Sequence, residues 1–345
     1  MKLSHFKYPL PKNLIAQVPS TERDVCKLMV LDRKTEKIEH YRFRDISDFF
    51  EKGDSLVLNN TRVFPARLVG NKERTKAKIE VFLLRELNSN EALWDAIVDP
   101  ARKVRIGNKI YFDDDKMWCE IIDNTTSRGR TVRFNYKGDL YKVAERMGLT
   151  PLPPYIKRDE NKNDKERYQT VYAEHIGSVA APTAGLHFTT KLLSKIERKG
   201  VKISNVTLHL GLGSFRPVDV EYLYKHKMDS EYFEIPQLTA KNVNETVDAK
   251  KSVFSCGTST TRALESSFTT TNHLKAMKVW TDKFIFPPYD FRIVDKLITN
   301  FHMPESTMLM LAGAFAGRDF LMYAYKQAMK HNYKFYSYGD AMLIL

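Results

Sequence analysis

Between residues 66 and 150, apolar and polar residues alternate at short spacing, and a helical pattern first occurs at 140–147. The alternating segments have the period of two that half-buried β-strands show, and turn-forming residues separate them. They are 78–84, 94–98, 109–112, 118–122 and 131–136. Five or six short strands in succession predict a small antiparallel β-barrel or a sandwich, and of the two we expect the barrel.

The rest of the chain has the pattern of an α/β fold. From residue 168 onward, a short strand, a polar turn and a helix follow one another three times, at 177–197, 252–266 and 296–315. A Ser or Thr suited to N-capping precedes each helix. This order predicts a mostly parallel sheet, Rossmann-like or a distorted barrel, with helices packed against it. We therefore expect an α/β domain formed by 1–65 and 151–345, interrupted by a β-barrel domain at 66–150.

Composition and charge narrow the class of partner. The 345 residues are 43% hydrophobic, and their net charge of +13 is spread along the chain instead of being gathered in one tail. A folded protein with this excess suits a polyanionic partner such as a nucleic acid. A general bias toward lysine is the alternative explanation of the same charge.

Cysteine usage and hydropathy indicate the compartment. Cys26, Cys119 and Cys256 are far apart and form no CxxC pair. This is typical of a reduced, cytoplasmic chain without a disulfide framework or a zinc site. The longest apolar run, 308–316, is too short to span a bilayer. We expect a cytoplasmic monomer with no metal and no membrane contact.

The stretch 168–190 has more small and polar residues than a simple connection requires. Gly185 lets the backbone approach a ligand closely, and Thr183 offers a hydroxyl beside it. His187 precedes a helix whose positive end disfavours an imidazolium ion. His187 is therefore a candidate neutral base, with a helix cap or a packing role as the alternative.

A second stretch, 206–213, alternates an apolar face with a polar one. Thr207, His209 and Gly211 share the polar face, and a glycine lets a ligand lie against the strand. His209 is either a hydrogen-bonded histidine in a half-buried strand or a second candidate base. Arg216 follows in the next turn and is a candidate for substrate binding.

Polar residues also follow two other predicted strands. Asn59 and Arg62 come after the apolar segment 55–58, while Thr299, Asn300 and His302 follow the third strand. Ligands of α/β folds bind at the carboxyl ends of the strands, so these side chains are candidate binding groups. His302 is a third candidate base.

The segment 257–262, GTSTTR, offers amides, hydroxyls and a guanidinium at a helix start. Thr258 and Arg262 there suit a carboxylate, a phosphate or a ribose hydroxyl. Glu265 lies one helical turn after Arg262 and is the alternative partner of its guanidinium.

The usual nucleotide-binding motifs do not occur in the sequence. The chain has no GxxxxGK[ST] and no GxSxG, and the segment 211–216 lacks the third glycine of GxGxxG. A P-loop, a dinucleotide or methyltransferase glycine loop and an α/β-hydrolase nucleophile are therefore not supported.

Several longer motifs resemble one bacterial family. They are LNNTRVFPARL (58–68), PLPPYIKR (151–158), RYQTVYA with GSVAAPTAGLHFT (167–189), TLHLGLGSFRPV (207–218), GTSTTRALE (257–265), TNFHMPEST (299–307) and SYGDAM (337–342). Over nearly the whole chain, the sequence resembles the S-adenosylmethionine:tRNA ribosyltransferase-isomerases of queuosine biosynthesis. The resemblance implies an α/β domain interrupted by a β-barrel, in agreement with the residue pattern.

The resemblance also implies the reaction. The substrate would be a tRNA, bound through its anticodon arm, whose wobble position carries 7-aminomethyl-7-deazaguanine. S-adenosylmethionine would donate its ribosyl part, giving epoxyqueuosine with release of adenine and methionine. The donor is consumed as a substrate, so no separate cofactor is implied.

This chemistry needs a base, because the sulfonium acidifies the C5′ protons of the donor, and a proton donor for the departing adenine. His187, His209 and His302 are the candidates. The candidates for substrate binding are Asn59, Arg62, Thr183, Gly185, Thr207, Gly211, Arg216, Thr258, Arg262, Thr299, Asn300 and Asp340. Asp340 either pairs with the purine-like edge of the modified base or caps a turn.

Three positions depart from the family pattern: Asp229 stands where a second histidine is usual, Pro288 where a glycine is usual, and Ser214 where a threonine is common, which keeps the hydroxyl. Two other functions remain open on the sequence. A non-catalytic RNA-binding protein would bind RNA without any dependence on the donor. A transferase acting on a free nucleoside would have an activity that salt barely changes.

Overall fold

The computed structural model describes residues 1–112, 116–126, 129–211, 213 and 218–345. Within these ranges, the chain forms a large mixed sheet with helices, a closed antiparallel β-barrel and a separate two-stranded sheet. The predicted α/β class and the predicted barrel are both confirmed.

Nine strands of the described chain form the mixed sheet, and we number all strands in chain order. In sheet order they are β15 (Met277–Thr281), β13 (Glu231–Ile235), β12 (Lys202–Leu208), β3 (Ser55–Asn59), β14 (Val253–Cys256), β16 (Lys296–Asn300), β17 (Ala341–Ile344), β1 (Lys27–Asp32) and β2 (Lys37–Arg42). The pairs β12–β3, β3–β14, β14–β16 and β17–β1 are parallel. The other four neighbouring pairs are antiparallel, so antiparallel pairing is more extensive than the sequence predicts.

The barrel is formed by six strands between Arg67 and Asn135. They are β5 (Arg67–Lys72), β6 (Lys78–Asn88), β7 (Leu93–Asp99), β8 (Lys109–Phe112), β9 (Met117–Asn124) and β10 (Gly129–Asn135), closed in the order β10-β7-β6-β5-β8-β9. In β7, Trp94, Ala96 and Val98 are buried and alternate with more exposed residues, because successive side chains of a strand point to opposite faces. These strands fall within the predicted insert, and the division of the chain into two domains stays a prediction.

Seven α-helices are described. They are α1 (Leu140–Met147), α2 (Asp164–Arg167), α3 (Thr190–Arg198), α4 (Gln237–Asp248), α5 (Thr258–Ser266), α6 (Thr307–Ala316) and α7 (Arg318–Lys330). Short 3₁₀ helices occupy Leu3–Phe6, Lys12–Leu14, Arg23–Val25, Phe43–Phe49, Ala101–Lys103, Thr183–His187 and Leu223–Lys225. None of the helices in the described ranges has both the length and the apolar character needed to cross a membrane.

The core lies on both faces of the mixed sheet, as the interior strand β3 shows. All five residues of β3 are buried. Val57 packs on the face that α4 to α7 cover, whereas Leu56 and Leu58 pack on the opposite face with Leu192 and Ile196 of α3. A strand that is covered on both faces has a continuous apolar sequence, which is why this segment was predicted as a buried strand.

Two of the three predicted strand–turn–helix units, β14–α5 and β16–α6, lie in the mixed sheet. The third differs, because β11 (His175–Ser178) pairs with β4 (Thr61–Val63) in the two-stranded sheet. Thr189 and Ser306 cap α3 and α6 as predicted. For α5 the predicted cap is wrong: Gly257, with a φ of 94°, takes that position, and no side chain caps the helix.

Candidate active site

A cleft opens at the carboxyl ends of β14 and β16. The parallel strands of the sheet end at this edge, so the polar turns that follow them lie close together. The space in and in front of the cleft, which is open to solvent, amounts to about 590 Å³. Its polar lining residues are Thr183, Thr258, Ser259, Thr299, Asn300, His302 and Ser337, and its other lining residues include Tyr155, Ala180, Leu210, Phe301, Met303, Met308 and Tyr336. Five predicted site residues thus share one cleft: Thr183, Thr258, Thr299, Asn300 and His302.

A chain of hydrogen bonds runs from the cleft into the protein through Asn300. Thr183 Oγ1 donates to Asn300 Oδ1 at 3.0 Å, and Asn300 Nδ2 lies 3.0 Å from Nε2 of His187. Because the amide donates to Nε2, the ring hydrogen of His187 is on Nδ1, which lies 3.2 Å from Sγ of Cys26. Both ring nitrogens of His187 therefore have protein partners.

His187 lies behind the cleft wall and is not one of its lining residues. Burial and, to a smaller extent, the charge of Arg23 lower the pKa of His187 to about 4. The neutral state of the ring agrees with the prediction, but its cause differs. Burial is the main cause, whereas the sequence analysis attributed it to the dipole of α3. His187 reaches the cleft only through Asn300.

His302 is the candidate histidine that lines the cleft. Its Nε2 lies 2.7 Å from Oγ1 of Thr299, and none of the described residues is a hydrogen-bond partner of Nδ1. The backbone is held as well, since the amide donates to the Tyr325 hydroxyl and the carbonyl accepts from the Tyr8 hydroxyl. Burial lowers the pKa of His302 to about 3, so the ring is neutral near pH 7 and keeps a lone pair.

His209 lies apart from this cleft, beside β4 and β11. Its Nδ1 is 2.8 Å from Oγ1 of Thr61, and its ring stacks on Tyr232 with 6.0 Å between the centroids. A Cβ on Gly177 would come within 2.7 Å of the ring. Burial lowers the pKa of His209 to about 4, with His175 adding to the effect. This geometry matches the alternative of a hydrogen-bonded histidine in a half-buried strand.

Asn59 and Thr207 are occupied within the protein. Asn59 Nδ2 donates to the carbonyl of Leu208 at 3.0 Å and to Oγ of Ser259 at 3.1 Å. Thr207 is buried and its hydroxyl donates to the side chain of Asn60. Asn59 therefore positions Ser259, which lines the cleft. Arg62 is exposed on β4 and does not line the cleft.

The two predicted close-approach glycines face protein groups. A Cβ on Gly185 would lie 2.0 Å from the hydroxyl oxygen of Tyr172. The amide of Gly211 donates to Oε1 of Glu231 at 2.9 Å. A glycine requirement is visible at Gly185, and the contact that causes it is packing inside the protein.

Asp340 has the geometry of a cap. Its Oδ1 accepts from the backbone amide of Lys27 and its Oδ2 from that of Lys334, both at 2.7 Å. The side chain is buried and is not among the residues that line the cleft. Of its two predicted roles, the structure supports the cap. Arg216 lies outside the described residues.

Arg262 lies beside the cleft and pairs with Glu231, not with Glu265, which the sequence offered as its partner. Its Nη1 donates to Oε2 of Glu231. The alternative pair with Glu265 does not form, because that carboxylate accepts from the backbone amides of residues 292–294 at 2.9–3.1 Å. Nη2 of Arg262 is buried and has no hydrogen-bond partner among the described residues.

Sequence reasoning did not select Tyr155 and Tyr336, two of the aromatic residues of the cleft. The rings of Tyr155 and Tyr336 lie 4.6 Å apart, and both residues line the cleft. Tyr336 has a φ of 75°, a rare conformation for a residue with a side chain. Tyr155 comes from the loop after α1, and Gln17 donates to its carbonyl at 3.0 Å. The motifs PLPPYIKR and SYGDAM, which contain or adjoin these residues, were the available signal.

Within the described ranges, no three His, Cys, Asp or Glu side chains form a group that could hold a metal ion.

A polar cleft at the carboxyl edge of the sheet is where α/β enzymes bind their substrates. The cleft of this chain, together with its mixed sheet and β-barrel, therefore has the architecture of an α/β enzyme. The family model described as queuosine biosynthesis protein matches residues 3–344. The chain belongs to that family.

Relatives and a solved structure agree with the assignment. The chain is 59% identical over 346 residues to the S-adenosylmethionine:tRNA ribosyltransferase-isomerase of Chloroherpeton thalassium, and 58% identical over 348 residues to that of Cytophaga hutchinsonii. Both alignments cover 100% of each chain. A crystal structure of S-adenosylmethionine tRNA ribosyltransferase from Thermotoga maritima is 35% identical, with a TM-score of 0.56. That match covers 99% of this chain and 100% of the other.

Proposed function

We propose that the chain transfers and isomerises the ribosyl part of S-adenosylmethionine onto 7-aminomethyl-7-deazaguanine at the wobble position of tRNA. The products are epoxyqueuosine-tRNA, adenine and methionine. The observation that carries the proposal is the 59% identity, over the full length of both chains, to a relative named S-adenosylmethionine:tRNA ribosyltransferase-isomerase. The net charge of +13 agrees with a tRNA partner.

His302 is our assignment for the base. With its hydrogen on Nε2, the ring donates to Thr299, and Nδ1 presents its lone pair to remove a C5′ proton of the donor. The protonated ring would be a strong acid, because burial disfavours its charge. It therefore suits the second proton transfer, to the departing adenine, and one ring serves both steps in turn.

His187 and Asn300 are our assignment for positioning. The amide of Asn300 is fixed between the hydroxyl of Thr183 and the ring of His187. Two cleft-lining polar groups, Thr183 and Asn300, therefore keep one geometry before the substrate enters. Preorganised polar groups of this kind place the reactants without further loss of entropy during the reaction.

The aromatic pair is our assignment for a purine ring. Tyr155 and Tyr336 present apolar faces in a cleft that also contains Phe301 and Met303. Planar bases bind to such surfaces by stacking, and the hydroxyl of Tyr155 is held by Ser337. Adenine leaves from this part of the cleft.

The test is the release of free adenine. The purified chain is incubated with S-adenosylmethionine and tRNA that carries 7-aminomethyl-7-deazaguanine, and adenine is quantified by chromatography. The matched control is the same tRNA with guanine at the wobble position. We expect adenine only with the modified tRNA, and release that is absent with both tRNAs would refute the proposal.

Two further measurements distinguish the proposed enzyme from an RNA-binding protein and from a transferase for free nucleosides. A non-catalytic RNA-binding protein would bind both tRNAs equally, with or without the donor, and would release no adenine. A transferase for free nucleosides would release adenine with the modified nucleoside alone. The tRNA affinity of the proposed enzyme should also fall steeply between low and moderate salt, because counterions are released from the phosphates.

A further inference from the structure

A small side cavity adjoins the candidate active site. Four residues line both the cleft and the side cavity: Leu210, Thr258, Ser259 and Met308. The cleft and the side cavity are therefore adjacent, so one ligand of sufficient length would contact both. The side cavity plays no part in the proton transfers assigned above, so its residues have no role so far.

Arg262 lines the side cavity and has one group without a partner. The residue is only 6% exposed. Its Nε donates to the carbonyl of Lys283 at 3.0 Å and its Nη1 to Glu231, but its buried Nη2 makes no hydrogen bond. Buried polar groups are nearly always hydrogen-bonded, so an unpartnered guanidinium nitrogen beside a cavity indicates that a ligand supplies the acceptor.

The N-terminus of α5 also lies at the side cavity. The helix begins at Thr258, which lines both cavities, and no side chain caps its first amides. Free amides and the helix dipole favour an anion there. Arg262 lies one turn further along the same helix. The helix start and the unpartnered nitrogen are independent features that both suit a negative oxygen.

Glu231 offsets much of the guanidinium charge of Arg262, but neither it nor the other charged groups nearby is a hydrogen-bond partner of Nη2. Glu231 uses its carboxylate on Nη1 and on the amide of Gly211. Glu265 is bound to the backbone of residues 292–294. Lys283 places its ammonium over the rings of Phe268 and Tyr289, 5.5 Å and 5.4 Å from their centroids.

We infer that the side cavity binds the carboxylate of the amino-acid end of the sulfonium donor, with Nη2 of Arg262 as the principal donor. This inference rests on the proposed function, which names that donor. The adenosyl part then occupies the cleft. Met228, Phe284 and Leu311 line the side cavity and provide an apolar wall for the methylene groups of the chain between sulfonium and carboxylate.

The experiment compares two ligands that differ only in this group. Binding of S-adenosylmethionine and of decarboxylated S-adenosylmethionine is measured by calorimetry, in the presence of unmodified tRNA and without it. The wild-type chain should prefer the carboxylated ligand by roughly tenfold to a hundredfold, the range of a hydrogen bond between charged groups. The variant Arg262→Met should bind both ligands with similar affinity.

Two variants serve as controls. Arg130→Met removes an equally buried arginine of the barrel, 6% exposed, and should keep the wild-type preference. Arg262→Lys keeps the charge and should keep part of the preference, which decides the case if Arg262→Met does not fold. A preference that survives in Arg262→Met, or an equal loss of affinity for both ligands, would overturn the inference.

The wild-type result also separates this inference from the proposed function. Equal binding of the two ligands by the wild-type chain overturns the carboxylate site and leaves the proposed donor in place. Binding of neither ligand, with tRNA or without it, overturns the proposed donor and the carboxylate site together.

Discussion

Nδ2 of Asn300 lies 3.0 Å from Nε2 of His187, and this contact joins a buried histidine to the wall of the cleft. The same amide accepts a hydrogen bond from Thr183 on the cleft side. The neutral ring of His187 thus acts as an acceptor that orients Asn300. His302, by contrast, lines the cleft itself. Two histidines near one site therefore have different positions, and their substitutions should have different effects.

Replacing His302 should have the largest effect on catalysis. We expect His302→Ala to lower kcat by about 10²- to 10⁴-fold, the usual range for removing a general acid or base. His209→Ala removes a half-buried histidine of similarly lowered pKa outside the cleft, and its effect should be far smaller. Adenine release under saturating substrates measures both. Equal losses in the two variants would contradict the assignment of His302.

Asn300→Ala should lower kcat with a smaller effect on the KM of the donor. The reason is that Thr183 and His187 lose their common partner, and a misplacement of about 1 Å can cost about 10²-fold in rate. Asn242→Ala is the matched control, because that amide also has a hydroxyl as a hydrogen-bond partner, donating to Oγ of Ser204 at 3.1 Å, but lies on α4. An Asn300→Ala variant with wild-type kcat would refute the positioning role.

The free energy of unfolding should fall as the pH decreases, over a pH range that the pKa values of the buried histidines set. The folded pKa values of His302, about 3, and His187, about 4, lie below the ordinary 6.5. Between these limits the unfolded chain binds protons that the folded chain does not, so the stability present above pH 6.5 is lost as the pH falls. Each histidine contributes up to about 1.4 kcal/mol per pH unit in this window.

Urea unfolding at several pH values between 7 and 4 measures this dependence. His187→Asn should give a shallower loss of the free energy of unfolding than the wild-type chain. His5→Gln, which changes an exposed histidine, serves as the control for the removal of a histidine side chain. A His187→Asn slope as steep as that of the wild type would show that His187 is not held neutral by burial.

The predictable parts of the structure are those with a local periodic signal. The alternation of Trp94, Ala96 and Val98 predicts β7 because one barrel face is buried. Strand β5 was not among the segments predicted, and Gly70 interrupts its apolar face. That glycine is required by a distant contact, since its Cβ would lie 2.7 Å from the ring of Phe112.

The candidate site likewise contains residues that a local sequence signal predicts and residues that depend on distant contacts. Asn300 and His302 could be predicted because polar residues directly after a buried strand mark the ligand edge of a sheet. Tyr155 could not, because a loop brings it to the cleft and its position depends on contacts with Gln17 and Ser337. Nor does a glycine in the sequence reveal whether a ligand or a neighbouring side chain requires it.

Substitution of Gly185 can test whether a ligand or a neighbouring side chain requires a glycine at that position. A Cβ at this position would lie 2.0 Å from the hydroxyl oxygen of Tyr172, and its next contacts, with Thr170 and the Tyr172 ring, are 2.9 Å and 3.0 Å. We expect Gly185→Ala to lower the free energy of unfolding by about 1–3 kcal/mol, as overpacking of a core does.

Adding Tyr172→Phe removes the nearest oxygen and should restore part of the loss, because the remaining contacts are about 1 Å longer. Urea unfolding of the two single variants and the double variant measures the coupling between the positions. If Gly185 is instead required by a ligand, Gly185→Ala would leave stability unchanged and weaken donor binding, and Tyr172→Phe would restore nothing. A measurable coupling therefore indicates packing inside the protein, and no coupling indicates contact with the substrate.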